Sequence, residues 1–256
     1  MLDHIFGPAG GRPYRRRTRF PISYSLIMTT PTAAVPYGRG HRVLEMVGIG
    51  FVFVALAFLA HRIWGATAHR RDFVGLAIAS LVGYLVADFL SGFVHWAGDT
   101  VGDETTPVFG PNFVRPFRYH HVDPKDITRH DFIETNGNNC IVVAPILGFL
   151  MLTMPKTTGA YYYCTVVVAF TSWFVFCTNQ FHKWAHNDEA AGWIRALQRM
   201  GLILSPEHHA LHHASPQNRS YCITVGWMNP LLDRIGFFRI LEAVITRISP
   251  NALRPG

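Results

Sequence analysis

Two long apolar stretches limit what this chain can become. Residues 43–60 are interrupted only by Glu45 near their start, and residues 73–94 carry Asp88 as their single ionisable residue. Runs of this length read as spanning helices, because about 20 apolar residues cover the hydrocarbon core of a bilayer. Residues 140–154 are apolar but short. At about 1.5 Å per residue they cover roughly 22 Å of a core about 30 Å thick. Residues 154–159 (MPKTTG) read as a turn, and residues 161–177 return. Whether this pair crosses fully or partly, its two ends lie on one side. The expected fold is all-α, an integral membrane helical bundle with about four hydrophobic segments.

Hydrophobic residues make up 49% of the 256-residue chain and charged residues 15%, with a formal charge of +7. The basic residues lie beside apolar runs, so anionic lipid is the expected partner and nucleic acid is not. Residues 1–42 contain Arg15, Arg16, Arg17, Arg19, Arg39 and Arg42 with scattered Pro and Gly. No apolar periodicity appears there, so a disordered basic arm is expected, followed by one membrane domain over 43–256. Met28 is a candidate start, since nothing before it looks needed. A cleavable signal peptide is not expected, because the charged stretch ahead of the first apolar run is too long.

Arg62, Arg70 and Arg71 lie between the first two spans, and Lys156 lies in the 154–159 turn. The rest of the 23 Lys and Arg fall in the arm, in 95–139, or after 182. The positive-inside rule therefore assigns those three regions to the cytoplasmic side. That means the plasma or inner membrane of a bacterium, or the endoplasmic reticulum of a eukaryote. Residues 237–248 read as an amphipathic helix, lying on the membrane or capping the cytoplasmic part. Cys140, Cys164, Cys177 and Cys222 form no C-x-x-C pair and read as reduced packing residues. Trp96, Trp184 and Trp193 read as interfacial anchors. Residues 131–139 (DFIETNGNN) read as a polar loop whose Glu134, Asn136, Asn138 and Asn139 cap a helix or meet a headgroup. Asp88 is costly in lipid, so it should face the bundle or a ligand.

The 14 histidines are the chemical anomaly. Four boxes hold most of them: HWAGD (His95, Asp99), YHHVDP (His120, His121), HKWAH (His182, His186) and HHALHH (His208, His209, His212, His213). A spacing of four puts two side chains on one helix face. A lone His is more often a hydrogen-bonded structural residue, but four boxes at the ends of spans change that balance. Eight neutral imidazoles exceed what one ion takes. Two tetrahedral zinc ions would use all eight and leave no open position. Iron accepts five or six ligands, which leaves room for oxygen, so a cytoplasmic histidine-lined di-metal site is expected.

The stretches ADFLSGFVHWAGD, RPFRYHHVDPKDITRHDFIETNGNNC, FCTNQFHKWAH, HHALHHASP and YCITVGWMNPLLDRIGFFR resemble the plasmanylethanolamine desaturases. That lipid desaturase family also includes the plant plastid phosphatidylglycerol desaturase, which shares a sparser version. The resemblance covers about residues 73–246. It implies metal ligation by His95, His120, His121, His182, His186, His209, His212 and His213, with Asp99 beside them as ligand or as orienter of a ligand. His130 and His208 match the ether-lipid branch better, and are expected to be auxiliary groups rather than ligands. His4, His41, His61 and His69 lie outside every box.

The implied activity is O2-dependent desaturation of a phospholipid chain by two Fe ions. Electrons would come from an external donor of cytochrome b5 or ferredoxin type, since the chain carries no flavin, haem or iron–sulfur motif. An acyl-chain desaturase or a hydroxylase of the same chemistry stays open. A haem-binding electron carrier would want single histidines on facing helices, and a metal transporter would want ligands near the bilayer midplane. Oligomeric state is not legible.

Overall fold

The computed structural model describes residues 38–107, 109–155, 159–249 and 252–253. Residues 1–37, which hold most of the expected basic arm and Met28, lie outside them. The arm's last residues, Arg39–Arg42, instead begin the first helix.

Among the described residues four helices are long and apolar enough to cross a membrane, and the chain is an integral membrane protein. They are α1 (Arg39–Arg70), α2 (Phe73–Thr100), α5 (Phe132–Thr153) and α6 (Ala160–Ala185). Each is longer than its apolar core, because polar residues at the ends extend the hydrogen-bonded ladder rather than break it. α1 stops where Arg71 turns left-handed, at φ 55°, and its N–H closes on the Ala68 carbonyl. Asp72 then caps α2 by accepting from the Gly75 N–H at 2.9 Å. α2 runs on through the first histidine box, and α6 through His182 to His186 as its C-cap.

The polar stretch 131–139 is not a loop. Asp131 is the N-cap of α5, accepting from the Glu134 N–H at 3.0 Å, and the helix starts at once. Amide N–H groups of asparagines bond across the α5–α6 interface. Asn136 donates to Gln180 Oε1 at 3.1 Å, Asn139 to the Val175 carbonyl at 2.8 Å, and Asn179 to the Thr135 carbonyl at 3.0 Å. Tertiary hydrogen bonds therefore override the weak helix propensity of Asn. With these residues, α5 is long enough to span.

α1 packs on α5, α5 on α6, and α6 on α2, while α1 and α2 meet little. The shared core is formed by Val52, Ala55, Leu59, Val143, Leu147, Val166 and their neighbours. α2 approaches α6 closely through Gly83, where an added Cβ would stand 2.8 Å from the Val167 carbonyl oxygen. At the far end from the histidines, Thr67 is buried against the Tyr162 hydroxyl at 2.8 Å.

The remaining elements gather at the histidine end. A π-helical turn (Gly110–Val114) leads into α3 (Arg115–His120), and α4 (Asp126–Arg129), α7 (Gly192–Arg199), α8 (Pro206–His213), α9 (Asn229–Ile235) and α10 (Phe237–Ile248) follow. α10 is amphipathic as expected and caps: Phe238 stacks on Trp96, and Phe237 meets Phe89. Trp96 is thus not an interfacial anchor. It is buried, and its indole N–H donates to Glu242 at 3.0 Å. Trp193 is exposed and meets Trp184 edge-on. All four cysteines are free; Cys140 and Cys222 are buried, whereas Cys164 is exposed.

Candidate metal centre

Each histidine box is delivered by a helix end. Box one lies in the last turns of α2, box two at the end of α3, box three at the end of α6. Box four is α8, started by Pro206 and capped by Ser205, whose hydroxyl accepts the His208 N–H at 3.2 Å. Convergence of the four ends brings together two groups of donors among the described residues. His120, His182, His186, His209 and His213 form one; His95, Asp99, His121 and His212 form the other. Within each group, one donor atom per residue lies within 4.8 Å of every other.

The sorting follows helix geometry. Pairs four apart, His182 with His186 and His209 with His213, serve one group, as do His95 with Asp99 in the other. Adjacent residues point about 100° apart and divide. His120 goes to the first group and His121 to the second; His212 and His213 split likewise. α3 and α8 therefore contribute to both groups, which makes the two one centre.

The distances fit metal ligation. His182 Nε2 and His209 Nε2 are 2.9 Å apart, and His209 Nε2 and His213 Nε2 are 3.0 Å apart. In the second group Asp99 Oδ2 lies 3.0 Å from His121 Nε2, 3.4 Å from His212 Nε2 and 3.6 Å from His95 Nε2. Ligands about 2.1 Å from one ion stand about 3.0 Å apart at right angles. Nε2 of His95, His120 and His186 and Asp99 Oδ1 are buried without a hydrogen-bond partner among the described residues. Such crowding of buried lone pairs is costly unless a cation sits among them.

Burial holds the ligand form. It pushes His120 and His209 well below the ordinary imidazole range, with neighbouring imidazoles adding to the effect. His186 is lowered to about 4 by burial first and then by Lys125, and His213 to about 3 by burial and then by His186. Neutral imidazoles are what a metal needs at physiological pH. The His212 tautomer is set by its backbone neighbour: Nδ1–H donates to the Arg219 carbonyl at 2.9 Å, leaving Nε2 to face Asp99.

His130 and His208 stand outside both donor groups. His130 lies 3.3 Å from Asp126 and 3.8 Å from Glu134, and its carbonyl accepts from Lys183. His208 Nε2 accepts from the Asn229 amide at 3.3 Å, with its ring against Gly226. His41 and His61 are exposed and belong to neither donor group.

Sequence reasoning misses the Arg219 carbonyl, Tyr221 and Asp233. Tyr221 is buried, its ring 5.0 Å from that of His212. Asp233 accepts from the Ser220 N–H and hydroxyl, both at 3.1 Å, beside Arg219. A backbone acceptor carries no sequence signal, and Tyr and Asp in a mixed segment carry little.

Residues 84–254 match the lipid desaturase domain. The chain is 46% identical over 211 residues to a plasmanylethanolamine desaturase of Myxococcus xanthus, covering 82% of this chain and 74% of that one. It is 41% identical over 218 residues to plasmanylethanolamine desaturase 1 of Mus musculus, covering 83% and 80%. It is 36% identical over 205 residues to the chloroplastic fatty acid desaturase 4 of Arabidopsis thaliana, covering 72% and 61%. No solved structure matches. The desaturase family is iron-dependent, and the buried histidine groups fit a metal. With these relatives and this centre, the chain belongs to the lipid desaturase family and is a membrane oxidoreductase.

Proposed function

We propose that the chain is an O2-dependent di-iron plasmanylethanolamine desaturase, converting the alkyl ether chain of its lipid to the vinyl ether of plasmenylethanolamine. The carrying observation is the division of eight histidines and Asp99 into two donor groups at one end of the spans. His120, His182, His186, His209 and His213 would hold one iron; His95, Asp99, His121 and His212 would hold the other. When bound, the irons would supply the reduction of O2 and the removal of two hydrogens from adjacent carbons. The balance is R–O–CH2–CH2–R′ + O2 + 2 e− + 2 H+ giving R–O–CH=CH–R′ + 2 H2O. The electrons come from an external donor of cytochrome b5 or ferredoxin class.

The chain's own residues set neutrality, orientation and depth. Burial keeps His120, His186, His209 and His213 unprotonated, and the Arg219 carbonyl aims His212. His208, under Gly226, braces the segment that carries that carbonyl. His130 ties α4 to the start of α5 through Asp126 and Glu134. His95 stands about 33 Å along α2 from Phe73, against a core about 30 Å thick. The centre therefore lies at the membrane interface. A lipid held there by its headgroup presents the first two carbons of its chain at that depth, and the ether oxygen stabilises a radical on the adjacent carbon. The ether substrate is supported by the names of the bacterial and mouse relatives.

The distribution of Lys and Arg supports a cytoplasmic centre. A cysteine at exposed Ala68 should be labelled from outside intact cells, and one at exposed Glu189 should not. Labelling of both overturns the orientation.

The substrate is tested by acid. Membranes carrying the chain and supplied with an ether phospholipid should yield a product that releases a fatty aldehyde in acid, as vinyl ethers do. The plant relative favours one specific second reading, an acyl chain as substrate. A new double bond that survives acid and maps to an acyl chain replaces the ether assignment with that one. An added hydroxyl instead of a double bond identifies a hydroxylase.

A further inference from the structure

Part of the chain at the histidine end is not helical, yet it reaches far up a spanning helix. Residues 221–228 run along α2. The Ile223 N–H donates to Ser91 Oγ at 3.0 Å. The Asp88 carboxylate, fully buried, accepts from the N–H groups of Val225, Gly226 and Met228 at 2.9, 2.9 and 3.0 Å. Gly92 allows the close approach, since an added Cβ there would stand 2.5 Å from Cys222 Sγ. Further up, the Tyr84 hydroxyl donates to the Leu202 carbonyl, and its ring lies 5.6 Å from Trp227.

These contacts fix a depth. α2 has 28 residues, about 42 Å of helix against a hydrocarbon core of about 30 Å. Asp72 and Arg71 precede it and lie outside the core. Even if all the excess length projects at the histidine end, Asp88 stands about 22 Å from Phe73 and Tyr84 about 16 Å. Both positions then lie inside the core, by roughly 8 and 14 Å. Any other placement along the helix axis sets both farther from the histidine-side interface.

Irregular backbone at such depth survives only where its polar groups are satisfied by protein, which is the role of Ser91 and Asp88. The outward face of the same segments is apolar. Met200, Leu202, Trp227, Leu231 and Ile235 are exposed, with Met200 at 63% and Leu231 at 54%. Val86, Leu90 and Phe93 of α2 are exposed as well, on the side of that helix turned away from the segment. Arg199 and Arg234, exposed and next in sequence to Met200 and Ile235, have side chains long enough to reach toward the headgroups.

We infer that residues 200–204 and 227–235 form a wedge immersed in the hydrocarbon of the leaflet on the histidine side. Its occupant is the acyl-chain layer of the bilayer. The cap over the metal centre is thus partly a membrane element, held there by Asp88.

Trp227 reports its own surroundings. The full chain in lipid vesicles is compared with Trp227→Phe, and the fluorescence lost in the variant is assigned to Trp227. Lipids brominated mid-chain should quench that component at least twofold, and aqueous iodide should leave it nearly unchanged. A Leu231→Trp variant, which adds a signal instead of removing one, should gain a component with the same behaviour. That keeps the test valid if Phe at 227 disturbs folding. Components quenched by iodide and not by brominated lipid put the wedge in water. Components quenched by neither put it inside the protein. Either result overturns the inference.

Discussion

The two donor groups of the centre are built from different chemistry. The first offers five imidazoles and no carboxylate; the second offers three imidazoles and Asp99. Five neutral ligands leave the full charge of a bound dication in place, whereas a carboxylate cancels part of it. A carboxylate also favours the more oxidised ion. The two ions of one centre are thus expected to differ in potential and in tolerance to substitution. The first group draws on α3, α6 and α8, the second on α2, α3 and α8, so α3 and α8 couple them.

The largest expected effects break the first group. His186→Ala or His213→Ala removes one of five imidazoles and should abolish desaturation while iron falls from about two per chain toward one. Product lipid and elemental analysis read both quantities, and His61→Ala should leave both unchanged. Retention of two irons and normal turnover would remove those residues from the ligand set.

Asp99→Asn sharpens the comparison. It keeps an oxygen and removes the charge that distinguishes the second group. Turnover should fall by about 10- to 100-fold, and Mössbauer spectra should show one iron site altered and the other unchanged. Equal change at both sites contradicts the division.

Acid tests the first group through its protons. His186 and His213 are held at about 4 and about 3 when folded, below the ordinary imidazole value. Between that value and the folded ones, the unfolded chain binds more protons than the folded chain. Their contribution to stability is therefore complete above about pH 6.5 and is lost as pH falls toward 4. Iron retained after dialysis should hold at pH 7 and drop as pH falls from about 6.5 toward 4, and recovery on return to pH 7 distinguishes release from aggregation. Undiminished iron at pH 4 rules this out.

The smallest effect lies outside both groups. Asp88→Asn weakens the acceptor for three backbone N–H groups and should cost on the order of 1–3 kcal/mol. A lowered Tm in detergent, with both irons still bound, is the expected pattern. An unchanged Tm would deny Asp88 its anchoring role.

Much of this centre is legible in the sequence because metal ligation demands many histidines at fixed spacing. Of the ten residues named in the boxes the fold gathers nine and leaves out His208, and the i, i+4 pairs His95–Asp99, His182–His186 and His209–His213 each serve one group. The division of adjacent histidines follows from helix geometry only once α3 and α8 are known to face both groups. The spans are legible by their apolar runs, but not by their ends. Asn136 and Asn139 look like loop residues until α6 supplies Gln180 and the Val175 carbonyl. Trp96 looks like an interfacial anchor until α10 folds over it and offers Glu242. The Arg219 carbonyl is invisible in sequence, since every residue carries one.

The central claim is that the two groups each hold an iron and act together. The most direct measurement is metal content and turnover on the same purified, membrane-reconstituted chain, with an electron donor and an ether phospholipid. About two irons per chain, with desaturation lost on chelation and restored by Fe(II), is the predicted result. A chain that carries stoichiometric zinc, no iron and full activity would contradict it.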